Sequence, residues 1–174
     1  VGDVILSTQE EKVKNLFKAI NGEITKRKKL FANYNGDYQS YIKNSGKTMP
    51  MKIFVINNYA VFTENYPMYE ERLQSITREC TKCGIVFILT MNSFSEIKYR
   101  LAQNFKQKVC LQLIKDDDYM YVFEKVGKKR PSKKKGRGLI DIDGSIYEFQ
   151  TAQIQNDEKL NEYVEKGLII NNLN

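Results

Sequence analysis

Residues 51–58, MKIFVINN, and residues 84–90, GIVFILT, hold the two continuous apolar runs that decide the fold. Ile53 to Ile56 and Ile85 to Leu89 are of strand length and do not alternate with polar residues. Successive residues of a strand point to opposite faces, so an unbroken apolar run has both faces apolar, as in a parallel sheet. Between the runs, Pro67 opens a helical pattern with Tyr69, Leu73, Ile76 and Cys80 on one face. Strand, amphipathic helix and strand together make a crossover unit. Ile97 and Leu101 mark a third, short helix, and Val109 to Ile114 is a further apolar run. The expectation is an α/β domain whose strands near 53–57, 85–90 and 109–114 lie side by side, mostly parallel, under helices on both faces.

Upstream, Val13, Leu16, Phe17, Ile20, Ile24 and Phe31 recur at spacings of 3, 4 and 7. This predicts a long helix over roughly 9 to 33, with Ser7 or Thr8 as N-cap, Glu10 and Glu11 in its first turn, and Gly22 as a soft spot. Arg27 falls on the apolar stripe, as a site residue or as an arginine snorkelling from the edge. Residues 34–50 read as polar and turn-rich. Downstream, Ser145 to Gln153 reads as a strand, paired with Leu139 to Ile142 across Asp143-Gly144. A last helix is predicted at about 157 to 166, with Gly167 as its C-cap.

A chain of 174 residues, 41% apolar, suits one globular domain with a core. It begins at Val1, which we read as a piece of something longer. No run approaches the roughly 20 apolar residues of a membrane helix, and no basic cluster with an apolar run marks a signal peptide. Three cysteines and no histidine exclude a Cys/His zinc set, a Ser-His or Cys-His pair and a histidine base. Cys80 and Cys83 form a C-x-x-C without a second pair. That fits two small buried residues at a helix end better than a redox or metal site. The net charge is +7, from 28 basic and 21 acidic residues. Eight of the basic residues (Lys125, Lys128, Lys129, Arg130, Lys133, Lys134, Lys135, Arg137) lie within 125–137, leaving 20 basic against 21 acidic elsewhere. The high pI therefore belongs to one segment. The rest of the surface is unlike a groove that follows a phosphate backbone.

Ser45-Gly46-Lys47-Thr48 imitates the end of the phosphate-binding motif G-x-x-x-x-G-K-[ST]. The first glycine of the motif would fall at Tyr41, no strand precedes, and Met49-Pro50 stands where a helix should begin. The chain thus has no phosphate cradle of this type. Asn57 and Asn58 are more informative, because polar residues at the carboxyl end of a buried strand point into the ligand crevice of an α/β sheet. A Walker B strand is four apolar residues followed by an acid that helps hold Mg²⁺. Here the positions after Ile56 are amides, which hold a water but bind Mg²⁺ poorly and make no general base. A plain strand-end turn fits equally well. Thr90 ends the next run in the same way, as a hydroxyl that senses a phosphate or as a cap for the helix after Ser93.

The order of these pieces resembles the FtsK/SpoIIIE ATPase family, most of all its type VII secretion branch. Residues 10–50 look like the family's helix and loop ahead of Walker B, and 51–67, MKIFVINNYAVFTENYP, resemble its Walker B strand. Residues 73–113 look like its sensor strand and following helix. The tail pieces DYMYVF (118–123), GRGL (136–139) and YEFQTAQ (147–153) resemble those of the secretion motors. The resemblance implies a RecA-like P-loop core without its Walker A part, with a short C-terminal β-hairpin and helix. Residues 1–153 would be a partial ATPase domain and 154–174 a linker or helix towards the next. The implied function is part of the ATP-driven motor of a WXG-type protein secretion system, at the cytoplasmic face of a bacterial membrane.

ATP and Mg²⁺ would belong to the intact parent, with none held tightly by this chain. Asn57 matches the Walker B acid, Thr90 the sensor, and Met91 stands where DNA translocases have glutamine. Arg78 and Arg100 are candidates for the arginine that such motors extend to a neighbouring subunit, with solvated helix arginines as the alternative. Implied partners are other ATPase domains of the same motor, secretion-system membrane proteins and, through 125–137, an anionic membrane surface. Nucleic acid is disfavoured. The rival readings are a DNA translocase of the same fold and a degenerate, non-catalytic interaction module.

Overall fold

The computed structural model describes residues 2–152, and the helix expected at 157–166 with its cap at Gly167 lies outside them. The chain forms two compact units, the first ending at Lys106 and the second beginning at Gln107.

The first unit is built on α1, Glu10–Phe31, where the 3-4-7 stripe is realised: Val13, Phe17, Ile20, Ile24 and Phe31 are buried. Gly22 is accommodated within it without a break. The cap is Gln9 rather than Ser7 or Thr8 and makes no side-chain cap bond; its amide oxygen accepts from Leu6 N–H instead, at 3.2 Å. Residues 34–50, read as turn-rich, contain a second helix, α2, Tyr38–Ser45. Asp37 caps it, its carboxylate accepting from Ser40 N–H at 2.9 Å. Next come β1, Lys52–Ile56, and α3, Tyr59–Asn65. A 3₁₀ turn at Pro67–Tyr69 then leads into α4, Glu70–Glu79. After a second 3₁₀ turn over Cys80–Cys83 the chain enters β2, Ile85–Leu89. The unit closes with a short helix, α5, Tyr99–Ala102.

β1 and β2 pair in parallel, Ile53 opposite Val86 and Val55 opposite Ile88. One face of this ribbon meets the helices. Ile85 and Phe87 are buried there, and Phe54 stacks on Phe87 at 5.4 Å. They join a core of Phe17, Ile20, Leu73 and Ile76, in which Phe17 also stacks on Tyr69 at 4.4 Å. Each such buried side chain contributes about 1.5–3 kcal/mol. Among the described residues the other face is open, with Ile53, Val55 and Ile88 exposed by 62, 60 and 46%.

Arg27 is neither a site residue nor a snorkelling one. It is buried, with 2% of its surface exposed, and clamps the start of the sheet. Its guanidinium donates to Cys83 O at 2.9 Å, Gly84 O at 3.3 Å, Pro50 O at 2.9 Å and the Glu23 carboxylate at 2.7 Å. Glu23 also pairs with Lys52 at 3.3 Å. Its carboxyl is held below the usual range, first by the Arg27 hydrogen bond, then by Lys52, against the opposing effect of burial. Gly84 turns the chain into β2 at φ +66°, where an added Cβ would lie 2.4 Å from the Tyr38 ring.

The third predicted strand is corrected. Only Val109–Cys110 is a strand, β3, and it pairs antiparallel with Leu139 and Ile140 instead of joining β1 and β2. Leu111 and Ile114 are exposed, so their apolar character does not report a buried strand. Beyond β3, Leu113 N–H donates to the Tyr119 hydroxyl at 2.8 Å, turning the chain into α6, Asp118–Val122. The hairpin is as expected: β4, Arg137–Ile142, runs antiparallel to β5, Ser145–Gln150. Asp143 and Gly144 link them at φ 51° and 81°, the left-handed pair that a tight hairpin turn requires. Tyr119, Val122, Phe123, Val126, Leu139 and Ile146 are buried in this second unit.

Candidate nucleotide-edge site

The parallel register carries Asn57 and Thr90, the residues just after β1 and β2, to the same end of the sheet. Thr90 N–H donates to Ile56 O at 3.0 Å, continuing the ladder one step past the strands. The Thr90 hydroxyl then works twice. It donates to Asn57 Oδ1 at 2.7 Å and accepts from Asn58 N–H at 2.9 Å. Tyr59 N–H donates to Thr90 O at 2.8 Å. Asn58 takes a left-handed conformation, φ 59°, which asparagine tolerates better than most residues. That twist turns the chain from strand into α3, and the Asn58 amide oxygen caps it at Val61 N–H, 3.5 Å. Asn57 and Thr90 are exposed and Asn58 half-buried, so the cluster faces solvent.

Beneath it, Tyr59 is fully buried and donates its hydroxyl to Glu70 at 3.3 Å, while Glu70 pairs with Lys98. Burial first, and then the Glu70 charge, push the Tyr59 phenol well above its ordinary range, so it stays a neutral donor. The sequence reading missed this chain of groups. The available signal was a tyrosine directly after the strand-end amides, on the helix that leaves the site.

Arg78 is exposed in the last turn of α4 and Arg100 is exposed in α5. Neither hydrogen-bonds to Asn57, Asn58 or Thr90, so the structure gathers three of the five candidates. Ser45-Gly46-Lys47-Thr48 lies at the end of a helix and does not open one. Ser45 ends α2 and Gly46 is its left-handed C-cap, φ 65°, so the lysine leaves the wrong end of a helix for a phosphate. Cys80 and Cys83 are buried free thiols at a helix end.

The residues present do not fit Mg²⁺. The amide oxygens of Asn57 and Asn58 are both engaged, on Thr90 and on Val61, and neither position supplies a carboxylate. Among the described residues, no group of three or more His, Cys, Asp or Glu is placed to hold a metal. The edge therefore offers amide donors and an engaged hydroxyl.

No family-wide sequence profile matches the chain. Individual relatives do. A type VII secretion system protein EssC of Staphylococcus aureus (strain MRSA252) is 30% identical over 156 residues, covering 88% of this chain. Over most of its length the chain is a homologue of the EssC/EccC type VII secretion proteins. It spans about 10% of the length of the EssC relatives it matches. The EssC ATPases 2 and 3 of Geobacillus thermodenitrificans superpose with a TM-score of 0.74 at 24% identity, over 90% of this chain and 30% of that one. The EccC ATPases 2 and 3 of Thermomonospora curvata, in complex with a signal sequence peptide, superpose at 0.71 and 20% identity, over 90% and 29%. These superpositions establish the fold as that of P-loop ATPase domains, with a parallel sheet and a separate antiparallel hairpin sheet. Among the described residues no helix of this chain is long and apolar enough to cross a membrane.

Proposed function

We propose that this chain is the Walker B and sensor portion of an ATPase domain in a type VII secretion motor. Residues 1–153 belong to that domain and 154–174 lead towards the next. The observation that carries the reading is the Asn57–Thr90–Asn58 cluster, at the carboxyl ends of two adjacent parallel strands, where α/β folds take their ligands. The open apolar face of β1 and β2 supports it, because a parallel sheet is ordinarily covered on both sides. In the complete motor ATP and Mg²⁺ would be held mainly by a phosphate-binding loop that this chain does not contain. Its partners would be other ATPase domains of the motor, membrane proteins of the secretion system and, through 125–137, an anionic membrane surface at the cytoplasmic face.

A second reading, a domain kept for assembly rather than hydrolysis, is favoured by one observation: the acid position is Asn57, and its oxygen is already bonded to Thr90. Nucleotide titration of the full-length protein, with and without Mg²⁺, separates the two. A motor domain binds ATP more tightly with Mg²⁺ and loses hydrolysis on Thr90→Ala. An assembly domain shows neither effect. For the chain alone, calorimetry with Mg-ATP should show no binding in the micromolar range, and a micromolar dissociation constant would overturn the account.

A further inference from the structure

The eight basic residues of 125–137 divide into an inward and an outward set. The segment is not the extended, solvated chain that its charge suggests. Val126 and Pro131 are buried. Ser132 donates its N–H and its hydroxyl to the Glu148 carboxylate, at 2.8 and 2.6 Å. The Gln112 side chain donates to Ser132 O at 2.7 Å and to Lys134 O at 3.1 Å. Arg137 N–H closes a turn onto Lys134 O at 3.1 Å. Strand and loop side chains thus fix the backbone that carries Lys133, Lys134 and Lys135.

The inward set consists of both arginines and one lysine. Arg130 lies over the Tyr119 ring at 5.0 Å and beside Asp116 at 3.5 Å. Arg137 lies beside Glu148 at 3.8 Å, and Lys129 donates to Ile146 O at 2.9 Å. The outward set is Lys125, Lys128, Lys133, Lys134 and Lys135, all exposed and, among the described residues, none at ion-pair distance from a carboxylate. The segment's guanidiniums, the groups suited to bidentate recognition of a particular phosphate, are therefore used internally. The most exposed charges of the segment are lysines, hydrated point charges on flexible stems. No aromatic side chain stands between the lysines to stack a base. Such a set suits a broad, diffuse negative surface rather than a strand that must be enclosed.

We propose that Lys133, Lys134 and Lys135 form a preorganised foot that rests on a bilayer of anionic headgroups. This rests on the assignment of 125–137 to a membrane surface and is independent of the nucleotide reading. Each lysine near such a surface raises partitioning by roughly fivefold.

The test is co-sedimentation with vesicles of phosphatidylcholine alone or mixed with phosphatidylglycerol. It compares the unchanged chain, a K133A/K134A/K135A variant, and an E148Q variant that unpins Ser132. Duplex DNA at the same salt is a parallel arm, and circular dichroism confirms the fold of each variant. The unchanged chain should bind only the anionic vesicles. The triple variant should bind on the order of a hundredfold less, and the E148Q variant should bind less than the unchanged chain although it carries one negative charge fewer. Absence of binding to anionic vesicles, or tighter binding to DNA at about 0.15 M salt, would overturn the membrane assignment itself. Binding that survives the triple substitution would overturn the role of these lysines. Binding that E148Q leaves equal or strengthens would overturn the preorganised foot while leaving the membrane assignment standing.

Discussion

Replacing Arg27 by alanine should destabilise the first unit by about 4 kcal/mol. The guanidinium makes four hydrogen bonds, three of them to main-chain carbonyls at the points where β1 and β2 begin. Charge-assisted bonds contribute about 1.5–3 kcal/mol each, but they are not additive, and removing one member of a buried pair typically costs about 3–5 kcal/mol. Alanine also leaves the Cys83 and Gly84 carbonyls facing a void. Arg27→Lys keeps the charge but not the planar fork, so about half of the loss should persist. The assay is urea unfolding followed by circular dichroism, in which a loss of about 4 kcal/mol moves the midpoint by about 2 M for a slope near 2 kcal/mol/M. The acid side gives a second readout. The Glu23 carboxyl is depressed in the folded state, so its stabilisation is complete above its unfolded value and is lost as pH falls through the folded one. The unchanged protein should therefore weaken below about pH 4.3, the ordinary glutamate value, and Arg27→Ala should flatten that decline. A loss under about 1 kcal/mol, or parallel acid curves for both proteins, would refute the clamp.

Gly84→Ala should cost about 2–4 kcal/mol in the same assay, from left-handed strain and collision with the Tyr38 ring; an unchanged midpoint would show that Tyr38 yields freely. Thr90→Val leaves the Asn57 amide and Asn58 N–H to solvent, so stability should fall by no more than about 1 kcal/mol, while the Asn57 side-chain NH₂ signals in NMR collapse towards those of a free amide. Cys80, Cys83 and Cys110 are buried, and burial raises each thiol, Cys110 to about 11. The native protein at pH 8 should therefore leave Ellman's reagent almost uncoloured, with all three thiols appearing in guanidinium.

The sequence made the crossover unit legible because its signals are local. Ile53 to Ile56 and Ile85 to Leu89 are strands, α1 follows its stripe to within two residues, and Asp143-Gly144 forms the hairpin turn. Asn57 and Thr90 were also within reach, since strand ends in parallel register must coincide. What failed depends on partners distant in sequence. Val109 to Ile114 carries the same apolar signal as a buried strand, yet only two residues find a ladder, and the ladder is antiparallel. Arg27 on an apolar stripe gave no sign of carbonyl partners 23, 56 and 57 residues away. The shape of the basic loop was equally out of reach: like charges argue for extension, but a serine, two glutamines and a glutamate outside the run of lysines hold it.

The open side of β1 and β2 has a practical consequence at the bench. Ile53, Val55 and Ile88 stand together on a ribbon that, among the described residues, has two strands and hence two unpaired edges. Such a surface attracts its own copies, both face to face and edge to edge. Solutions of this chain should scatter more light as concentration rises, clear on dilution, and clear further in the cold, because apolar attraction weakens as temperature falls. Sulfate should bring the scattering back at a protein concentration where chloride does not. Storage and crystallisation of the isolated chain are therefore governed by this strand face more than by its net charge.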